Sequence, residues 1–172
     1  KKNMNFKNEF NKRAREENWD KYESKMKEMF KYTLLRLKDI DKYYIPNNLF
    51  PDNVLKTRIY RLDIGYNGVS RPNGIYSKIY TEKTIDLKSN QCTYDHLLGA
   101  TQIGERVHKV FKENNYDCEL MIDEWLYENL FLWGTIRVTK DEHKSYNILR
   151  DQNLSIEEKL EFRHYKKVSP RL

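Results

Sequence analysis

The fold of this chain is decided by the stretch Val138-Thr139-Lys140-Asp141-Glu142-His143, where an apolar strand gives way to a helix. The Thr139 hydroxyl can cap the first helical turn, while the Glu142 carboxylate, three residues on, can bond back to the cap amide. This capping box predicts a helix that begins at Lys140. His143 then lies in the first turn, where the backbone directs its side chain.

A second pair of reactive side chains, Asp95 and His96, stands upstream in Thr93-Tyr94-Asp95-His96. Side chains alternate along an extended strand, so these neighbours are expected to point to opposite sides and to have different roles. A carboxylate suits a hard cation such as Mg²⁺, whereas a neutral imidazole with a pKa of about 6.5 can take a proton from water. We therefore expect Asp95 and His143 to bind one divalent cation, and His96 to be the general base of phosphodiester hydrolysis.

The composition favours a folded protein with a polyanionic partner. Of the 172 residues, 38% are hydrophobic and 34% are charged, which supplies a modest core and excludes disorder throughout. The net charge of +6 and the pI near 9.1 favour binding to nucleic acid. No run approaches the roughly 18 apolar residues of a membrane span, and the N-terminus lacks the apolar stretch of a secretory signal. We expect a cytoplasmic protein with no membrane partner.

Two cysteines, Cys92 and Cys118, are too few for a disulfide framework or a four-cysteine zinc site. With His96 and His108 they could form a zinc site of two thiolates and two imidazoles. The spacing argues against it, because His108 belongs to a well-patterned helix and the paired knuckles of zinc folds are missing. A structural Zn²⁺ is therefore not expected. His108 and His164 share faces with Arg, Lys and Glu, and we interpret them as surface histidines.

The N-terminal half divides at a segment rich in proline and asparagine. Residues 1–50 form a basic region, in which apolar residues at helical spacing predict a helix within residues 1–45. After it, residues 51–90 alternate apolar and polar side chains and predict a β-hairpin module, with strands at Val54–Ile64 and Gly74–Leu87. The loop between the strands carries Arg71, which is either a phosphate contact or part of an ordinary solvated loop.

The C-terminal half alternates helices with a short strand. Apolar residues at helical spacing predict two helices within residues 101–128, the first ending at Asn114-Asn115 and the second starting near Cys118. A short apolar strand through Phe131–Val138 then leads into the capped helix. A second capping box opens a C-terminal helix within residues 151–172, which end in a basic tail.

These motifs resemble the HNH endonuclease family, also called the ββα-metal or His-Me finger family, and its phage-type members in particular. There, an Asp-His pair at a strand end precedes a hydrophobic pair, a turn and a helix start, as in Leu97-Leu98-Gly99-Ala100-Thr101-Gln102. A helical insert follows, and then a segment similar to Val138–His143. The resemblance covers roughly residues 85–150. It implies a ββα-metal core at 91–150. Together with the N-terminal helical region and the β-hairpin module predicted from the residue pattern, this core gives an α+β protein.

The resemblance implies a metal-dependent DNA endonuclease of a bacterial or phage-infected cell, which nicks DNA or cuts both strands. His96 would be its general base, while Asp95 and His143 would hold Mg²⁺, or alternatively Mn²⁺. Asn129 stands where the family's central asparagine often holds the catalytic loop, although phage-type members frequently lack it. The pattern favours no particular oligomeric state. The basic residues expected to contact DNA are Arg71, Arg106, Arg137, Lys140, Lys144 and Arg150.

A second class of function fits the same motifs: a non-catalytic nucleic-acid-binding or regulatory protein built on an HNH-like fold. Its basic residues would still bind the phosphate backbone, because that contact depends on charge and not on catalysis. The two classes differ in whether plasmid DNA is cleaved when a divalent cation is supplied. In the catalytic class the β-rich module and the N-terminal helix are candidates for sequence recognition.

Overall fold

A computed structural model describes residues 20–66, 79–96, 98–133, 135–149 and 165–167, with the side chains of some of these, His96 among them, outside the description. Within these ranges the chain has a helix-rich α+β architecture, as predicted. Its helices are α1 (Asp20–Asp39), α2 (Leu55–Tyr66), α3 (Ala100–Glu113), α4 (Cys118–Leu120, Met121–Trp125 and Leu126–Glu128 in succession) and α5 (Lys140–Leu149). Its strands are β1 (Ile79–Thr81), β2 (Cys92–His96), β3 (Thr135–Thr139) and β4 (Tyr165–Lys167).

The strands form one sheet in the order β2-β3-β1-β4. β2 runs antiparallel to β3, with Asp95 opposite Ile136, and β1 runs parallel to β3 on its other side. α5 follows β3 directly and contacts both β2 and β3. These three elements form a strand–strand–helix unit, in which the end of β2 and the first turn of α5 lie together.

A single apolar cluster joins the helices to this sheet. Trp133, just before β3, is fully buried; its indole N–H donates to the Ile64 carbonyl at 2.9 Å, and its ring meets Phe30 and Trp125 edge to face. The indole thereby ties the entry of β3 to α2, α1 and α4. Other fully buried members are Leu34, Leu37, Ile59, Ile103, Val107, Phe111, Met121 and Leu126.

The strand predicted at Val54–Ile64 is wrong, because this segment is helical: a turn at Asp52–Val54 leads into α2, which is π-helical. Its buried residues lie on one face: Leu55 is followed after four and five positions by Ile59 and Tyr60, and these after five and four by Ile64, which matches the wide turn of a π-helix. That burial against α3 outweighs the strand propensity of the isoleucines and tyrosine, which depends on context. Of the predicted second strand, Ile79–Thr81 is confirmed, whereas Glu82–Thr84 is a 3₁₀ helix and residues 74–78 lie outside the described residues. Because Val54–Ile64 is helical, the predicted hairpin is wrong.

Two further strand and helix predictions need correction. Leu130–Trp133 is a 3₁₀ helix and not part of a strand, because Leu130, Leu132 and Trp133 are all buried and strand alternation would expose one of the last two. Tyr165–Lys167 forms β4 beside β1 and does not end a helix. Pairing with β4 satisfies backbone groups at the edge of β1. The helix predicted from Ser155 lies outside the described residues.

The remaining helix predictions are confirmed within the described ranges. α1 continues through a π-helical turn, Ile40–Tyr44, and a 3₁₀ turn, Ile45–Asn47, and ends where Asn48 adopts a left-handed φ of 55°. α3 ends at Asn114, and the two residues after it have positive φ. Among the helices described, none combines the length and the apolar character that crossing a membrane requires.

Candidate functional site

The strand–strand–helix unit brings Asp95 and His143 together, as the motifs predict. Asp95 is the penultimate residue of β2, and His143 is the fourth residue of α5. Their Oδ1 and Nδ1 atoms are 2.8 Å apart, and because an ionised carboxylate only accepts, the imidazole N–H is the donor. The Asp95 side chain is 3% exposed and that of His143 is 37% exposed. A buried carboxylate thus anchors an imidazole that solvent and ligands can reach.

This separation suits two ligands of one cation. Oxygen and nitrogen ligands lie about 2.0–2.4 Å from the divalent cations considered, so two of them can share an ion when they are less than about 4.5 Å apart. A cation between Oδ1 and Nδ1 would replace the direct hydrogen bond and release its proton. Among the described residues no group of three or more His, Cys, Asp or Glu side chains could hold a metal. Water and substrate oxygens would complete the shell.

The capping box that aims His143 is confirmed. The Glu142 amide donates to the Thr139 hydroxyl at 3.0 Å, and the Thr139 amide donates to Glu142 Oε1 at 3.0 Å. A third partner, Thr81 of β1, donates from its hydroxyl to the same Oε1 at 2.7 Å. Sequence reasoning missed Thr81, because no spacing rule links a threonine of one strand to a distant helix start.

Of the other two residues expected in catalysis, the structure describes the backbone of His96 and both the backbone and the side chain of Asn129. His96 ends β2 with its backbone opposite Thr135, while its side chain lies outside the description. Asn129 follows α4, is half-buried, and donates from Nδ2 to the Trp125 carbonyl at 2.7 Å. This bond satisfies a carbonyl at the end of its own helix. The catalytic roles of both residues stay predictions.

The basic residues expected at DNA fall into three groups. Arg106 on α3 and Lys140 and Lys144 on α5 are exposed. Arg137 is half-buried, and its Nη2 donates to the Leu87 carbonyl at 3.0 Å, so this guanidinium also holds the chain after β1 against β3. Arg71 and Arg150 lie outside the described residues.

The interpretation of His108 as a surface histidine is wrong, since this residue is buried on α3. Its Nε2–H donates to Asp41 Oδ2 at 2.7 Å, its Nδ1 accepts from the Tyr60 hydroxyl, and Tyr116 donates to the same Asp41 oxygen at 2.8 Å. Burial lowers the pKa of His108, although Asp41 opposes this change. Both ring nitrogens therefore have hydrogen-bond partners while the imidazole is neutral.

No protein-family model, curated protein or solved structure matches the chain. The resemblance to HNH nucleases therefore stays a prediction from short sequence motifs. The motifs supply an acidic residue and two histidines, and in the structure Asp95 and His143 are hydrogen-bonded to each other.

Proposed function

We propose that this chain is a metal-dependent DNA endonuclease and that β2, β3 and α5 form its ββα-metal core, with α3 and α4 as a helical insert. The observation that carries the proposal is the 2.8 Å approach of Asp95 Oδ1 to His143 Nδ1. These residues are far apart in sequence, and only the strand–strand–helix unit brings them together. One oxygen ligand and one nitrogen ligand at a site that solvent can reach suit a divalent cation that promotes hydrolysis, most readily Mg²⁺ or Mn²⁺.

Each residue has a defined task in the proposed mechanism. His96, as a neutral imidazole, takes a proton from the water that attacks phosphorus. Asp95 and His143 hold the divalent cation, which would stabilise the charge that develops on the phosphate and on the leaving 3′ oxygen. Because Asp95 is already buried, its carboxylate loses little conformational freedom when it binds the cation. The partial exposure of His143 leaves room for the DNA strand.

Exposed basic residues support a nucleic acid substrate. Lys140 and Lys144 are exposed on α5, and Arg106 is exposed on α3. The first turn of α5 also presents the positive end of a helix dipole, which favours phosphate. Asp141 and Glu142 in the same turn offset part of this charge, so contacts with the DNA backbone depend mainly on the lysines and the arginine.

Plasmid cleavage tests the proposal directly. Supercoiled DNA is incubated with the protein and Mg²⁺ or Mn²⁺, with EDTA as the metal-free control, and nicked and linear products are counted. We expect His96→Ala to slow cleavage at least about a hundredfold, in line with the loss of a general base. Asp95→Ala and His143→Ala should need more metal or lose activity. Lys38→Ala, an exposed change on α1, is the control. Undiminished cleavage by His96→Ala would refute the assigned base.

One observation favours the second candidate, a non-catalytic nucleic-acid-binding or regulatory protein. Asp95 and His143 already satisfy each other through their hydrogen bond, and this pairing requires no ion to stabilise the fold. A gel-shift assay beside the cleavage assay separates the two functions. DNA binding that persists while no divalent cation supports cleavage would establish the non-catalytic function in place of the nuclease.

A further inference from the structure

Two consecutive residues of α5 reach strands on opposite sides of β3. His143 bonds to Asp95 of β2, whereas Glu142 accepts the Thr81 hydroxyl of β1 at 2.7 Å. In the sheet order β2-β3-β1-β4, the strands β2 and β1 flank the strand from which α5 emerges. The first turn of α5 is therefore held from both sides, and one side belongs to a strand outside the ββα unit.

We propose that Thr81 and Glu142 are positioning residues, which orient α5 so that His143 meets Asp95 and thereby raise the metal affinity of the site. The metal-affinity part of this inference rests on the proposed function, whereas the orientation of His143 does not. A helix that follows a strand without a loop can tilt about the junction, here Thr139-Lys140. The capping box spans this junction, because Thr139 is the last residue of β3 and pairs with Cys92 of β2. The bond from Thr81 attaches the same Glu142 carboxylate to a second strand, β1, and so adds a restraint that the capping box does not supply.

Thr81 is suited to resist this tilt, because it is itself held in place. It is fully buried, and its carbonyl accepts the Thr84 hydroxyl at 2.9 Å. A few residues later, the Leu87 carbonyl accepts from Arg137 of β3 at 3.0 Å. β1 also pairs with β3 through Ile79 and Tyr80. The Thr81 hydroxyl is thus attached to the same sheet that carries Asp95, so its bond to Glu142 aligns the two ligands.

Isothermal titration of Mn²⁺ into the metal-free protein tests this assignment. Thr81→Val keeps the shape of the side chain but removes the donor, and we expect about tenfold weaker Mn²⁺ binding, as for other losses around metal ligands. Thr81→Ser restores the hydroxyl and should restore the affinity. Thr57→Val makes the same chemical change at an exposed position on α2 and should have no effect. Equal affinities for Thr81→Val and the wild type would overturn the assignment of a positioning role.

A second measurement separates this inference from the proposed function. In the metal-free protein, NMR of labelled histidine reports the His143 Hδ1 proton, which the bond to Asp95 protects from exchange. We expect its signal in the wild type and in Thr81→Ser, and its weakening in Thr81→Val. If the wild type binds no Mn²⁺, the proposed function fails, and this signal still decides whether Thr81 positions His143. If Thr81→Val does not fold, Glu142→Ala removes the same bond together with the bond from the Thr139 amide. It is therefore compared with Thr139→Ala, which loses the hydroxyl of the cap but keeps the Thr81 bond, and the weaker His143 signal is expected in Glu142→Ala.

Discussion

His108 shows how one residue can join three helical segments. Its two ring nitrogens connect Tyr60 of α2 with Asp41 in the turn after α1, and Asp41 also accepts from Tyr116. Burial raises the pKa of Tyr116 to about 12, so this phenol stays a donor at neutral pH. The groups of this network are satisfied while His108 is neutral, and protonating the ring would replace its acceptor nitrogen with a donor facing the Tyr60 hydroxyl.

The free energy of unfolding should therefore depend on pH through His108. Its pKa is lowered by burial below the ordinary value of 6.5, so near that value the unfolded chain binds more protons than the folded chain. The contribution of His108 to stability is complete above about pH 6.5 and is lost as the pH falls through the lower pKa of the folded state. Asp41 opposes this loss, whereas Lys112 adds to it.

Urea unfolding at several pH values between about 7.5 and 5 measures this dependence. His108→Gln removes the titrating ring and retains hydrogen-bonding groups, so we expect its stability to decline less as the pH is lowered. Changes from carboxylates elsewhere are common to both proteins and cancel in the comparison. Parallel stability curves for the wild type and His108→Gln would contradict a neutral, buried His108.

At the scale of elements, the close crossing of α2 and α3 depends on glycine. A Cβ atom placed on Gly104 would lie 2.2 Å from Tyr60 Cα, and one on Gly65 would lie 2.5 Å from the Ala100 carbonyl oxygen. Both distances are well inside contact distance and involve backbone atoms, which cannot rotate away. The two helices approach so closely because these positions have no side chains, and Tyr60 is thereby brought to His108.

Gly104→Ala should push α2 away from α3 and destabilise the fold by about 1–3 kcal/mol, the usual cost of overpacking a core. Gly99→Ala is the matched control, since its Cβ would meet only the flexible Gln102 side chain, at 3.3 Å. Thermal unfolding followed by circular dichroism compares the two variants. A larger loss for Gly99→Ala than for Gly104→Ala would show that the crossing is less tight than described.

The start of α5 gives a second prediction at this scale. Thr139→Ala removes the hydroxyl that accepts from the Glu142 amide, and the loss of such a cap costs about 1 kcal/mol. Thr57→Ala removes a hydroxyl from an exposed position of α2 and should change stability little. Urea unfolding of the two variants measures the difference. Equal stabilities would mean that the Thr139 cap contributes nothing to the fold.

The elements that could be predicted from sequence are those with local signals. The capping box of α5 and the apolar spacing of α3 are properties of neighbouring residues, and both were confirmed. The sequence pattern predicts a strand at α2, because Ile59, Tyr60 and Ile64 favour strands unless a partner such as α3 buries them in a helix. The burial of His108 depends on the same packing of α3, so its polar neighbours in sequence indicate a surface position instead. Thr81 had no local signal at all, since its partner Glu142 lies in another element.

At the scale of the whole molecule, charge and structure together limit which basic residues are available for the proposed contact with DNA. The chain carries a formal net charge of +6, but a net charge alone does not locate a binding face. Lys140 and Lys144 are exposed on the helix that carries His143, whereas Arg137 is half-buried and bonded to the Leu87 carbonyl. We therefore expect the lysines to act on binding and Arg137 to act mainly on stability.

The salt dependence of DNA binding tests this division. Each phosphate contact contributes about −0.9 to the slope of log K against log salt concentration, so Lys140→Ala and Lys144→Ala should each make the slope shallower by about one. Lys25→Ala, an exposed change on α1, should leave it unchanged. Arg137→Gln should lower the unfolding temperature, because the Leu87 carbonyl loses its partner, with less effect on the slope. Fluorescence anisotropy with a labelled duplex at several salt concentrations gives the slopes. If Lys25→Ala changes the slope as much as Lys140→Ala and Lys144→Ala do, the phosphate contacts are not concentrated at α5, and the face proposed for the DNA is wrong.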